Sequence, residues 1–269
     1  EADVLWPGQC PLYVRTSGVT DGKPKLLPIN DEMLQHLSQA IKTATLLYTA
    51  RVGHAGVFRG RHLFHNHSST ALKPLTTSGK FRTYKGTLAG ITAINLPAWV
   101  EKYYYEPWST IAKIEDRRER RHAIVKRTHQ LDITALGGNH HQLLKLSLTM
   151  CRATTRGKAR PLNLLGIWPN LECVVHGSEA LGAAGPKLRH ICGPGTHFHE
   201  IYSADEGLIA AQDSDTIQGL RLLEGAGIFY EFLPLSHYHE DRLAQSSAHV
   251  IPLSQVKAGV NYVLIMSTP

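Results

Sequence analysis

The stretch Arg15-Thr-Ser-Gly-Val-Thr-Asp-Gly-Lys-Pro-Lys25 concentrates groups that grip an oxyanion. Gly18 and Gly22 let the backbone come close to a ligand and present its N–H groups. The hydroxyls of Thr16, Ser17 and Thr20 add donors, and Lys25 adds a positive charge. Phosphate binding is the chemistry this composition serves; an ordinary polar hairpin is the plain alternative. The spacing is not that of a Walker loop. Three residues separate Gly18 from Gly22, and Pro24 stands where a magnesium-binding hydroxyl belongs. The Gly-x-Gly-x-x-Gly of a dinucleotide fold is also missing from the stretch.

A second candidate is Glu206, a carboxylate just past a short apolar run at Ile201-Tyr202. Such a group, facing a phosphate loop, suits a magnesium ion that bridges nucleotide phosphates. The alternative is a surface carboxylate at a turn. Sixteen histidines raise a metal reading. His65-Asn-His67 and His197-Phe-His199-Glu200 put two imidazoles on one face of a strand, because side chains alternate with period two. Zinc needs three or four ligands, and the sequence fixes no third partner for either pair. A histidine-metal hydrolase therefore stays only as a rival. Asn139-His-His141 reads as a helix cap, with substrate contact as its alternative.

These residues need elements to hold them. Leu12 to Arg15 reads as a strand, and the glycine-rich loop leads from it to a helix capped by Asn30. Asp31 and Glu32 suit a helix start, and Leu34, Leu37, Ile41, Ala44 and Tyr48 recur at helical spacing, which predicts a helix over 31–50. Residues 51–98 are irregular, with strand-like pieces around Leu63 and Ile91. A helix is predicted over 109–129, a buried strand over 131–136, and a helix from His140 to about Cys151. Further strands are predicted over 171–175, at 201–202, over 229–233 and over 260–266. Strands alternating with helices argue for an α/β fold containing parallel sheet.

The chain has 269 residues, 42% of them hydrophobic, enough for one large core or two small ones. The net charge of +7 suits a protein that handles anions. The densest basic run, Glu115-Asp-Arg-Arg-Glu-Arg-Arg121, is interleaved with acids, as on a solvated helix with close charge pairs. No nucleic-acid-binding signature accompanies it, so no nucleic-acid partner is expected. No apolar run approaches the roughly 20 residues of a membrane span, and no leader is visible; a cytoplasmic protein without a membrane partner is the expectation. Cys10, Cys151, Cys173 and Cys192 lack paired metal spacing and read as reduced thiols.

The loop resembles the phosphate loop of adenylate-forming enzymes, Ser/Thr-Ser-Gly-Thr-Thr-Gly-x-Pro-Lys, with Asp21 as an extra residue. That extended form is similar to the acyl acid amido synthetases of the auxin-responsive Gretchen Hagen family. Further matches follow in order. Leu5-Trp-Pro-Gly8 precedes the loop, as in bacterial members. Trp168-Pro-Asn-Leu171 resembles the family's Trp-Pro-x-Leu, and Tyr202-Ser-Ala-Asp-Glu-Gly207 resembles its Tyr-x-Ala-Ser-Glu-Gly. Gly227-Ile-Phe-Tyr-Glu-Phe-Leu-Pro234 and Val256-Lys-Ala-Gly-Val-Asn-Tyr-Val263 resemble its last two segments. The resemblance spans Leu5 to Thr268.

It implies a large N-terminal adenylate-forming domain over residues 1–269, mixed sheets flanked by helices, with the small C-terminal domain outside this chain. Both ends read as cuts through a longer protein. It implies ATP and magnesium as cofactors, and a carboxylic acid and an amino acid as small-molecule substrates. Thr16, Ser17, Gly18, Thr20, Gly22 and Tyr202 would hold ATP, Lys25 and Glu206 would be catalytic, and Glu206 would hold magnesium. The reaction implied is adenylation of the acid, then amide formation. Departures point to an alternative, a degenerate non-catalytic nucleotide-binding or scaffold protein. Val19 cannot donate a hydrogen bond from its side chain, Asp205 replaces the usual Ser, and the third motif, Gly-Leu-Tyr-Arg-Tyr-x-x-Gly-Asp, would begin beyond Thr268.

Overall fold

The computed structural model describes residues 10–16, 24–65, 70–76, 82–154, 163–177, 181–242 and 246–269. In chain order, the first elements are β1 (Leu12–Arg15), β2 (Leu26–Ile29), α1 (Asp31–Val52), β3 (Arg61–His65), β4 (Lys73–Thr76) and β5 (Thr83–Gly86). Next come α2 (Leu88–Ile94), α3 (Ala98–Tyr103), β6 (Tyr105–Glu106), α4 (Ser109–Ala112), α5 (Arg117–Thr128), β7 (Ile133–Gly138) and α6 (His140–Ala153). The rest are β8 (Cys173–Gly177), α7 (Gly185–Cys192), β9 (His197–Ala204), β10 (Gly207–Ala211), β11 (Arg221–Leu222), β12 (Phe229–Pro234), β13 (Ile251–Pro252) and β14 (Tyr262–Ser267). They fall into two compact units, residues 1–223 and 224–269.

The fold is mixed α/β. In the first unit, a seven-stranded sheet has the order β11-β10-β9-β8-β7-β3-β6. The five strands from β9 to β6 run parallel, and β10 and β11 return antiparallel. Helices α6 and α7 connect β7 to β8 and β8 to β9. Because successive strand residues face opposite ways, Leu63, Leu136, Val174 and Phe198 meet Ile124, Leu143, Met150 and Leu188 of α5, α6 and α7. On the other face Ala135 and Cys173 pack against Tyr48 of α1. Both faces are covered, which is why β7 and β8 read as continuous apolar runs. Trp168 is fully buried before the central strand β8, and its indole N–H donates to Thr128 O at 3.0 Å.

A smaller sheet of order β2-β1-β5-β4 carries the hairpin that leads into α1. Asn30 caps α1, its Oδ1 accepting from Met33 N at 2.8 Å, and Asp31 and Glu32 occupy the first turn. The helix stops at Gly53, whose φ of 80° suits glycine.

In the second unit, β12 pairs antiparallel with β13 and β14. Phe232 and Tyr262 meet edge to face across one pair, with ring centroids 6.1 Å apart.

Four sequence expectations are corrected. The glycine-rich loop does not run from strand to helix: β2 intervenes and pairs with β1, so the loop joins the arms of a hairpin. Pro28 argues against a strand there, but β2 is an edge strand, where a missing N–H costs no ladder bond. Ile91 sits in α2 rather than a strand, because Thr87 Oγ1 accepts from Gly90 N at 3.1 Å and caps a helix. The helix expected over 109–129 is broken in two, since Asp116 caps a fresh start by accepting from Glu119 N at 2.7 Å. The charge pairs expected along that basic run are also redirected. Glu115 pairs with Lys73 at 3.1 Å, Arg127 pairs with Glu106 at 3.0 Å, and buried Arg120 donates to the carbonyls of Ile114 and Glu115.

All four cysteines are free thiols and buried. Among the described residues, no helix is long and apolar enough to cross a membrane.

Candidate functional site

The parallel strands end along one edge, and their register fixes what stands there. His65 lies opposite Gly138, Gly137 opposite Val175, and His176 opposite Glu200. One row therefore runs His65, Gly138, His176, Glu200 across four strands, with its side chains on a common face. Glycine is forced within this edge. A Cβ on Gly138, whose φ is +144°, would come within 2.3 Å of His65 O, and one on Gly177 within 2.2 Å of Ile201 O. Strand β9 continues past Ile201 through Tyr202 and Ala204 before the turn at Asp205 and Glu206. Glu206 thus stands beyond the carboxyl ends of the strands, where open α/β sheets hold their ligands.

Helix α1 is anchored at both ends of this sheet. Near its start, His36 Nε2 accepts from Leu208 N at 3.3 Å, two residues past Glu206. Near its end, Arg51 pairs with Asp215 and donates to Phe198 O at 3.1 Å. The first turns of α1 and the Glu206 turn consequently share one edge, and β2 leads into that helix through Asn30.

At the base of the hairpin, Thr16 N donates to Lys25 O at 2.9 Å, and Lys25 N donates to Thr16 Oγ1 at 2.8 Å. The Thr16 hydroxyl spends an acceptor site on closing the loop. Ser17, Gly18, Thr20 and Gly22 lie outside the described residues, as do His67 and the segment from Leu5 to Gly8. Tyr202 is 45% exposed on β9. Among the described residues, no group of three or more His, Cys, Asp or Glu is placed to hold a metal. Glu206 fits the mode in which a magnesium ion takes one or two carboxylates and its remaining ligands from water and phosphate.

The histidine pair on β9 has other employment. Ring contacts set His199 edge-on to Tyr48 at 5.5 Å and His197 at 6.3 Å. Both face α1, whereas Glu200 faces the opposite side, so the three do not converge. Tyr48 is buried and donates to Glu172 Oε1 at 2.8 Å. Burial and the neighbouring Cys173 and Glu172 raise its pKa, which keeps the phenol protonated. Burial, and then the Arg51 charge, push His199 down to about 4. On the other face, burial followed by Arg189 and His140 pushes His176 down to about 4. His65 lines a cleft with Thr70, Tyr105 and Arg120 that is scarcely large enough for one water. Asn139 caps α6 as expected, accepting from His141 N at 3.0 Å.

Sequence reasoning missed His36, Tyr48, Glu172 and His176. Only the last carried a usable signal, a histidine at the end of an apolar strand.

A family model described as the GH3 family N-terminal domain matches residues 1–125. Over those residues the chain is similar to that domain. No curated protein matches it in sequence. Among solved structures, this chain is similar to "AtGH3.15 acyl acid amido synthetase in complex with 2,4-DB", at 16% identity and a TM-score of 0.64. The match covers 96% of this chain and 51% of that one. It is similar also to "GH3.15 acyl acid amido synthetase", at 15% identity and a TM-score of 0.64, over 96% of this chain and 50% of that one. The chain thus spans about half the length of the solved structures it matches. At these identities the likeness establishes a shared fold.

Proposed function

We propose that this chain is a GH3-type protein and supplies the nucleotide- and acid-binding part of an acyl acid amido synthetase. ATP and a carboxylic acid give an acyl-adenylate and pyrophosphate, and an amino acid's amine then displaces AMP to form an amide. The observation that carries this reading is the shared edge: the hairpin leads into α1, and α1 binds Leu208 two residues beyond Glu206. The names of the similar structures support the reaction class.

In this reading, Thr16, Ser17, Thr20 and the backbone at Gly18 and Gly22 hold the phosphates, and Lys25 neutralises their charge. Tyr202 packs by the nucleotide, and Glu206 takes the magnesium ion. Magnesium supplies charge stabilisation as pyrophosphate departs. Val19 contributes no side-chain donor, so the loop relies more on its backbone.

The test is ATP–pyrophosphate exchange with magnesium and a panel of aryl and alkyl acids. Exchange that depends on the acid supports the reading. Binding of ATP without acid-dependent exchange would instead mark a nucleotide-binding scaffold, and neither binding nor exchange would remove the proposal.

A further inference from the structure

At the carboxyl ends of β7 and β8, the 14-residue helix α6 begins beside an unusual interior. His140, its first residue, is 3% exposed and His176 is 4% exposed. The Nδ1 atom of each is buried without a hydrogen-bond partner. Interior polar atoms are nearly always paired, so two orphans at one helix start point to an absent acceptor. The helix adds the positive end of its dipole to the same spot.

We propose that the N-terminus of α6, with His140, His176 and Arg189, binds a small-molecule carboxylate. Two ring N–H groups match the two oxygens of a carboxylate, which selects the Nδ1–H tautomer of both rings. Among the described residues, no acidic group acts on His176 to balance the positive charges beside it. Arg189 and His140 are the charges that act on His176, and both lower its pKa, as positive charges do. The Arg189 guanidinium is held 4.2 Å above the Phe198 ring, alongside the strand next to β8. Glu200 stands in register with His176 but does not offset those charges. A bound carboxylate would satisfy both imidazoles and balance Arg189 together. The site lies at the sheet edge where ligands of open α/β folds collect.

This inference deepens the proposed function and rests on it for the ligand's identity, since the acid and the amino acid of that reaction both carry a carboxylate. The experiment records histidine ring-nitrogen NMR spectra of the 269-residue chain. Benzoate, aspartate and inorganic phosphate are titrated separately at neutral pH. Saturable, concerted shifts of His140 and His176 with benzoate assign the site to the acid, and with aspartate to the amino acid. Either result should raise the pKa of His176, and His176→Gln and Arg189→Leu should each weaken binding about 10-fold or more. The proposal is overturned if only phosphate moves these resonances, if nothing saturates, or if the affinity survives in a folded His176→Gln protein. Pyrophosphate exchange on the same sample separates the two proposals: exchange without histidine shifts sinks this one alone.

Discussion

The imidazole of His36 accepts the backbone N–H of Leu208 at 3.3 Å, joining residues 172 positions apart. It closes the distance between the helix that follows the hairpin and the strand that follows Glu206. His36→Leu should leave a buried N–H unpaired and lower stability by about 1–3 kcal/mol. Urea unfolding measures this. A loss smaller than about 0.5 kcal/mol would mean that the contact does not hold the two elements together.

Glu206→Gln should behave in the opposite way. The side chain is partly exposed in a turn, so unfolding should move little. Acid-dependent pyrophosphate exchange should fall about 100-fold or more, because a neutral amide binds magnesium poorly. Retained exchange at saturating magnesium would remove Glu206 from the metal role.

Glu106 is fully buried between two cations, with Arg61 Nε and Arg127 Nη2 each 3.0 Å from its Oε1. Glu106→Gln leaves two guanidinium groups facing a neutral amide and should cost about 3–5 kcal/mol. Thermal unfolding would register it as a large drop in Tm. A neutral outcome would mean that the arginines turn to solvent when released.

Stability should fall on mild acidification. His176 and His199 are held near 4, below the usual 6.5 of an unfolded histidine. Between those values the unfolded chain binds more protons than the folded one, so stability present above pH 6.5 is lost as the pH falls towards 4. Each residue should contribute about 2 kcal/mol of that loss by pH 5. Urea midpoints from pH 7 to pH 5 test it, and His199→Gln should flatten the profile. A carboxylate bound at His176 would raise its folded pKa and shrink its share.

Legibility in the sequence followed how local each determinant is. The helix after Asn30 and the cap at Asn139 were readable because a side chain and its own next turn decide them. Apolar runs located β7 and β8, since covered strands advertise burial. The hairpin arm at β2 was hidden by Pro28, whose tolerance depends on an edge position that only the assembled sheet defines. The break in the helix at Asp116 was hidden by helical spacing on both sides of it. At the site, Thr16, Lys25 and Glu206 could be picked by residue type. His36 could not, because its meaning comes from a partner on a distant strand.

Cys173 and Cys192 have thiols pushed up to about 12 by burial, and Cys10 and Cys151 are buried as well. A thiolate is the form that reacts with alkylating dyes, so the folded chain is chemically silent towards them. A single cysteine placed at Leu26, which is exposed beside the loop, would be labelled against that silent background without deleting any native thiol. The hairpin could then report nucleotide arrival through one fluorophore, with every native cysteine left in place.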